Sequence, residues 1–429
     1  MIGAWLQRLL GQSLWLSLDR ILRIVLALTV GAWVARYLGP HDYGTLAYLG
    51  ALTGLFAPLV DLGLREIAIR EMSLRPGEHG EILGSAIVLR VLGAVLAATA
   101  ALGVVAMVEG DDSRMLIAIP LVLAMCISCF DAWEWPALVA GDNRAVAVVR
   151  CVLLALSAGI RIVLIWNEAP IMAFAWAAFI EAALLIVGLF AVGRLKFGVS
   201  LQSSWRVARQ LIAWSWPLAI SSAMVMVYMR IDMLMLEQMS NMHEVGQYAV
   251  AMRLAESWYF VPMALAAAAQ AGIVRAFAVS REQFQFELLR LFRIMHLLGL
   301  GAGAALSALS PFIISVLFGA QYTDAAWPLA ISAFAGWMVG LGVARSIFLT
   351  TVGRTRFHTW SVFLGAATNV LLNLFLIPEF GAVGASIATL SSYWVAAHGS
   401  CLTRAEFRPM FLLMLGIRPK PDHLDRGNP

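Results

Sequence analysis

Lysine is almost missing from this chain: Lys196 and Lys420 are the only two among thirty lysines and arginines. Charge of either sign is scarce, 13% of residues against about a quarter in an ordinary globular chain, while 61% are hydrophobic and the mean hydropathy is +0.82. A chain this poor in charge has little surface to offer water, which excludes a soluble globular protein. Long polar stretches are also absent. The largest are the connection from Arg194 to Arg209 and the tail after Arg404, so there is no room for a separate soluble catalytic domain. Cysteine is rare, and Cys126, Cys129, Cys151 and Cys401 all lie in apolar runs. Cys126 and Cys129 have a C-x-x-C spacing associated with metals or redox chemistry, but no histidine is near and the pair reads as small core residues. No metal or cofactor is called for. No small-residue cleavage site follows the first apolar run, so the first span is expected to stay as an anchor. The net charge of +4 is mostly a loop bias, which speaks for anionic lipid and against nucleic acid.

What is present is apolar sequence in lengths that cross a bilayer. A helix needs about 20 apolar residues to span a hydrocarbon core about 30 Å thick. Such stretches fall at roughly 14–36, 43–64, 82–108, 115–139, 145–166, 170–192, 211–237, 246–274, 290–317, 325–351, 358–378 and 382–403. The sequence thus predicts an all-α membrane protein of about twelve transmembrane helices. Arginines mark alternate connections: Arg8; Arg65, Arg70 and Arg75; Arg144 and Arg150; Arg194, Lys196, Arg206 and Arg209; Arg275 and Arg281; Arg354 and Arg356; and Arg404, Arg408, Arg418, Lys420 and Arg426. The intervening connections carry only Arg36 and Arg114. Cationic loops are poorly translocated, so the first set faces the cytoplasm and both termini are expected inside, in the cytoplasmic membrane.

The halves look alike. D-Y-G at Asp42–Gly44 follows span one and E-V-G-Q-Y at Glu244–Tyr248 follows span seven; G-D-N-R at Gly141–Arg144 and G-R-T-R at Gly353–Arg356 keep the same six-span offset. Internal repeats of this kind are common in transporters. They predict an N-terminal lobe at 1–192, a cytoplasmic linker at 193–210, a C-terminal lobe at 211–403 and a tail at 404–429. R-Y-L-G-P-H-D-Y-G (36–44), D-L-G-L-R-E (61–66), V-G-Q-Y-A-V-A-M-R-L-A-E (245–256), L-F-G-A-Q-Y (317–322) with W-P-L (327–329), and N-L-F-L-I-P-E-F-G-A-V-G-A-S-I-A-T (373–389) together resemble the lipid-linked oligosaccharide flippases. These are the O-antigen and polysaccharide translocases of the multidrug/oligosaccharidyl-lipid/polysaccharide exporter superfamily. The resemblance implies two six-helix lobes around a central cavity, and a polyprenyl-diphosphate-linked oligosaccharide as substrate. Membrane lipids and other polysaccharide-assembly membrane proteins are the further partners expected.

Nine arginines lie inside the apolar stretches, where each costs about 2.5–3.5 kcal/mol at mid-bilayer on insertion scales. Arg290, Arg293, Arg345 and Arg161 stand near helix ends and are expected to snorkel to headgroups. The others fall into two sets by depth: Asp19, Arg20, Arg23, Arg90, Asp131 and Glu134 on the inner side, and Arg230, Asp232, Arg253 and Glu256 on the outer side. Arg20, Arg23, Arg90, Arg230 and Arg253 are the candidate substrate ligands, because guanidinium grips phosphate bidentately where lysine does not. Asp19, Asp131, Glu134, Asp232 and Glu256 are candidates for ion coupling or charge pairing. Asp19 with Arg23, and Arg253 with Glu256, have helical spacing for direct pairs. His296 and His398 read as packing residues, Asn369 and Asn373 as inter-helix hydrogen bonds, and Trp133, Trp135, Trp205, Trp214 and Trp216 as interface indoles. A multidrug exporter would be expected to display carboxylates to organic cations. A membrane-embedded glycan polymerase or transferase would need acid/base groups on a larger outer loop. Neither pattern is present, so no enzyme is expected.

Overall fold

The computed structural model describes residues 2–108 and 112–417; the side chains of residues 2–25, 27 and 355 fall outside that description, and with them the candidates Asp19, Arg20 and Arg23. The described residues are helical, with no strand, as expected where lipid offers backbone groups no hydrogen-bond partner. Ten stretches, from Leu28–Leu74 to Arg356–Ala397, are long and apolar enough to cross a membrane. Two of them contain a glycine whose backbone leaves the helix: Gly39 (φ 77°, ψ 169°) and Gly381 (φ 52°, ψ −129°). Both sit where the sequence places outer turns, and the left-handed φ explains why glycine stands there.

The chain divides into two compact units, Met1–Leu38 with Leu52–Ala223, and Gly39–Ala51 with Met224–Pro429. The first holds most of α1 (Ile2–Gly54), then α2 (Ala57–Asp61), α3 (Leu64–Leu74), α4 (His79–Val108), α5 (Asp112–Ile127), α6 (Trp135–Ala140), α7 (Arg144–Trp166), α8 (Ile171–Ala191) and the start of α9 (Trp205–Met239). The division thus falls inside α9, whose residues from 211 onward the hydropathy pattern assigns to the second lobe. Between α5 and α6 the chain tightens into a 3-10 segment, Ser128–Glu134, which packs against α4 and α8. In such a helix residues three apart eclipse, so Asp131 and Glu134 emerge on one side. Trp133 and Trp135 flank Glu134 in the core, where Leu64, Ile82 and Leu83 surround them. They are therefore not interface indoles, whereas Trp205, Trp214 and Trp216 are exposed. The connection before α9 lies along α4, with Ser204 N–H donating to Ser85 Oγ at 3.0 Å and Gln202 N–H to Gly80 O at 3.2 Å.

The second unit adds α10 (Met242–Ser257), α11 (Phe260–Val279), α12 (Arg281–Leu317), α13 (Ala326–Ser332), α14 (Ala335–Thr351), α15 (Thr355–Ala397) and α16 (Arg408–Met414). Its core joins Phe284, Leu288 and Phe292 of α12 to Leu341 and Phe348 of α14, closed by Met410 and Met414 of α16. His296 ties that closure: it accepts from Trp337 Nε1 at 3.0 Å, so its other nitrogen carries the proton donated to Met414 O at 2.5 Å. Residues 39–51 of α1 pack on the start of α10 at a glycine crossing. An added Cβ on Gly44 would strike the Met242 carbonyl, and one on Gly246 the Pro40 carbonyl. The two repeat motifs thus meet backbone to backbone.

Candidate functional site

In the first unit, the break between α2 and α3 at Leu62 and Gly63 places Asp61 and Arg65 beside α4 and the 3-10 segment. Arg90 of α4 is only 3% exposed and already engaged on every side. Nη1 is paired with Asp131, Nη2 lies 3.4 Å from Asp61 Oδ1, Nε donates to Val60 O at 3.4 Å, and the Trp135 ring is 5.6 Å away. Arg90 is thus an ion-pair centre in this structure, not an open anion ligand. One turn away the balance reverses. Glu134, 3% exposed, accepts from Arg150 Nη2 at 2.5 Å and faces Arg65 Nη2 at 2.7 Å, while both arginines are about two-fifths exposed. One buried carboxylate therefore orients two guanidiniums that carry a net positive charge. Hydropathy had assigned Arg65 and Arg150 to loops, and nothing in their spacing reveals that α3 and α7 bring them together.

Arg161 does not merely snorkel. Its Nη2 reaches Glu181 Oε2 at 2.6 Å, which also accepts from Ser157 at 2.8 Å. Glu181, in the middle of α8, is an intramembrane acid that the inner and outer depth sets omit. At the end of the stretch Ile171–Lys196, the Lys196 ammonium lies 2.7 Å from Asp142, which stands between spans, and holds that carboxyl below the usual range.

In the second unit, Arg230 and Asp232 of α9 are two residues apart and face different neighbours. Arg230 Nη1 lies 3.9 Å from Glu256 Oε1, and Arg253 of α10 donates to Tyr43 Oη at 3.3 Å. Asp232 is buried in a hydroxyl set: Tyr248 donates to its Oδ2 at 2.5 Å and Thr389 at 2.7 Å. The expected asparagines extend this set, Asn369 Nδ2 lying 3.4 Å from Thr389 Oγ1 and Asn373 donating to Asn369 at 3.1 Å. Oδ1 of Asp232 and Oδ1 of Asn373 are buried without hydrogen-bond partners. Glu244 has a separate role, accepting from Ala382 N–H at 2.8 Å where α15 restarts after Gly381. Arg345 also departs from expectation: at 2% exposure it is buried within the second unit and does not extend to the protein surface.

Crossing-length apolar helices that bury arginines, acids and hydroxyls within their bundles define a multi-pass, all-helical membrane protein. The family described as polysaccharide biosynthesis protein matches residues 9–271, and the chain belongs to that family. It is 24% identical over 372 residues to the probable low-salt glycan biosynthesis flippase Agl15 of Haloferax volcanii, covering 84% of this chain and 76% of that protein. A shorter match, 32% over 83 residues, links it to the uncharacterized membrane protein MJ1068 of Methanocaldococcus jannaschii, covering 19% of this chain and 16% of that one. The fold is similar to the lipid II flippase MurJ in its inward closed conformation, with TM-score 0.73, 13% identity and coverage of 95% of this chain and 88% of that one. It is also similar to an inward-facing multidrug resistance transporter of the MATE family in the MOP superfamily, with TM-score 0.72, 14% identity and coverage of 92% and 95%. The resemblance read from the motifs therefore holds.

Proposed function

We propose that this protein is a flippase that moves polyprenyl-diphosphate-linked oligosaccharide from the cytoplasmic to the outer leaflet of the cytoplasmic membrane, for surface polysaccharides such as O-antigen. The observation that carries this reading is Arg65–Glu134–Arg150. Each guanidinium commits one nitrogen to the buried carboxylate, which leaves further N–H groups for phosphate oxygens in a planar fork suited to them. Arg230 and Arg253 of the second unit are further candidate ligands, with Arg20 and Arg23 standing on sequence position alone. Arg90 moves from substrate ligand to partner of Asp131 and Asp61. Support also comes from the family description and from the flippase named among the relatives.

Movement is by alternating access of two helical lobes, 1–192 and 211–403, joined by the linker 193–210 and followed by the tail 404–429, with both termini cytoplasmic. Carrying an anion outward is downhill by about 2.3 kcal/mol per charge per 100 mV when the cell interior is negative. Asp232, with a carboxylate oxygen and two hydroxyls held together and no lysine or arginine in ion-pair contact among the described residues, is the preferred site for a coupled proton or sodium ion. Asp19, Asp131, Glu134 and Glu256 serve as charge partners. Membrane lipids and other polysaccharide-assembly proteins are the partners of this activity. Multidrug export is the competing reading on fold, but the half-exposed groups at Glu134 are cations, which repel organic cations.

A strain lacking the protein is expected to accumulate lipid-linked oligosaccharide in the inner leaflet. Arg65→Gln and Arg150→Gln should each reproduce that accumulation at normal protein level, since Glu134 keeps one partner in either variant. Normal surface glycan in both would remove these arginines from the substrate site.

A further inference from the structure

The least compensated charge among the described residues is Arg345. It lies on α14, six residues before the helix ends at Thr351, and is 2% exposed. Its Nη1 meets Ser400 Oγ at 2.7 Å, Ser361 Oγ at 3.3 Å and Cys401 Sγ at 3.7 Å, all neutral groups. Both serines pass their own protons to backbone carbonyls, Ser361 to Phe357 and Ser400 to Ala396, so they act on Arg345 as plain acceptors. Nε is buried with no partner. The Phe357 ring lies 5.8 Å from the guanidinium and supplies only a weak cation–π contact. No described carboxylate stands within ion-pair distance of it. The end of α14 is too far along the helix to help, because the macrodipole's effect fades within the last turn, and the C-terminus of α15 beside Ser400 offers partial negative charge, less than a full counter-ion.

A buried cation without a counter-charge is strongly unfavourable. Every other buried or half-buried set described above answers its arginine with an acid or leaves it access to water. The surroundings of Arg345 instead hold hydrogen-bonding nitrogen: His358 stands three residues before Ser361 and His398 two before Ser400, and the Nδ1 atom of each is buried without a partner. The chain that covers this cluster of polar side chains is short and segmented. It consists of the 3-10 turns Gly399–Thr403 and Ala405–Phe407 and the seven residues of α16, with Phe407 stacked on Phe357 at 3.7 Å. Phe407, Met410 and Met414 anchor it in the core of the second unit, so an anion reaches Arg345 when these short elements part locally from that core.

We propose that Arg345, with Ser361, Ser400, His358 and His398, forms an oxyanion site in the second unit that takes a phosphate group beneath the 399–417 cover. The planar guanidinium fork matches two phosphate oxygens, and the bound anion supplies the counter-charge that the protein itself withholds. This site is independent of the flippase reading: it uses none of the residues assigned to the transported lipid.

The test compares thermal unfolding of the full chain in nanodiscs, wild type against Arg345→Met and Arg345→Lys. In zwitterionic lipid without phosphate, Arg345→Met should unfold at a higher temperature than wild type, because it removes an uncompensated buried charge and keeps the side-chain volume. Adding inorganic phosphate, with chloride at equal ionic strength as control, or replacing part of the lipid with phosphatidic acid, should raise the wild-type midpoint by several degrees and leave Arg345→Met unmoved. Arg345→Lys, which keeps the charge without the fork, should respond more weakly. A shift with inorganic phosphate identifies a free anion; a shift with phosphatidic acid alone identifies a lipid headgroup. No shift in wild type with either, or an equal shift in Arg345→Met, overturns the proposal.

Discussion

Asp232 is the residue at which chemistry and structure can be separated most cleanly. Its Oδ2 receives two hydroxyl protons, from Tyr248 and Thr389, so an amide oxygen in its place keeps both hydrogen bonds, while the ionisable charge is lost and an NH2 replaces the unpartnered Oδ1. Asp232→Asn should therefore retain its fold and its protein level, while transport stops responding to an imposed proton or sodium gradient. A gradient response equal to wild type would remove Asp232 from coupling. At this scale the sequence was partly legible. Asp131, Glu134, Asp232 and Glu256 announce themselves as acids inside apolar runs. Arg65 and Arg150 do not, because the hydropathy rule that assigns cations to loops cannot see that a broken helix carries Arg65 back to a buried acid. Arg345 was misplaced for the opposite reason: snorkelling assumes a path to water, and residues 399–417 close it.

Among the elements, the glycine crossing of α1 and α10 is the contact least able to adapt. Ridge-to-ridge packing of side chains can relax, but here the obstacle on each side is a backbone carbonyl. Gly246→Ala should cost about 1–3 kcal/mol or more, as overpacking does, and lower the thermal midpoint and the folded yield. Gly301→Ala in α12, where an added Cβ meets nothing within 4 Å, should be neutral or stabilising by up to about 1 kcal/mol from helix propensity. Equal midpoints for the two variants would refute the close crossing. The helix breaks were readable because Gly39 is followed by Pro40 and Gly381 stands three residues after Pro378, turn chemistry that interrupts an apolar run. The capping of the restarted α15 by Glu244 was not readable, since it joins residues 138 apart in sequence.

For the whole molecule, composition alone excludes a soluble globular protein, and motif order along nearly the entire chain points to the family to which it belongs. Composition could not locate the ionic sets, because each is assembled from two or more helices whose pairing depends on tertiary packing. The arginine-rich, lysine-poor character acquires a physical meaning at this scale: guanidiniums can be held by acids and aromatic faces within a bundle and still present nitrogen to phosphate. The most direct measurement is translocation by purified protein in liposomes, using a polyprenyl-diphosphate-linked oligosaccharide placed in one leaflet and its appearance in the other. The account predicts movement by the wild-type protein, loss of movement in Arg65→Gln and Arg150→Gln, and none for an organic cation. Undiminished movement in those variants, or transport of the organic cation in place of the lipid, would contradict it.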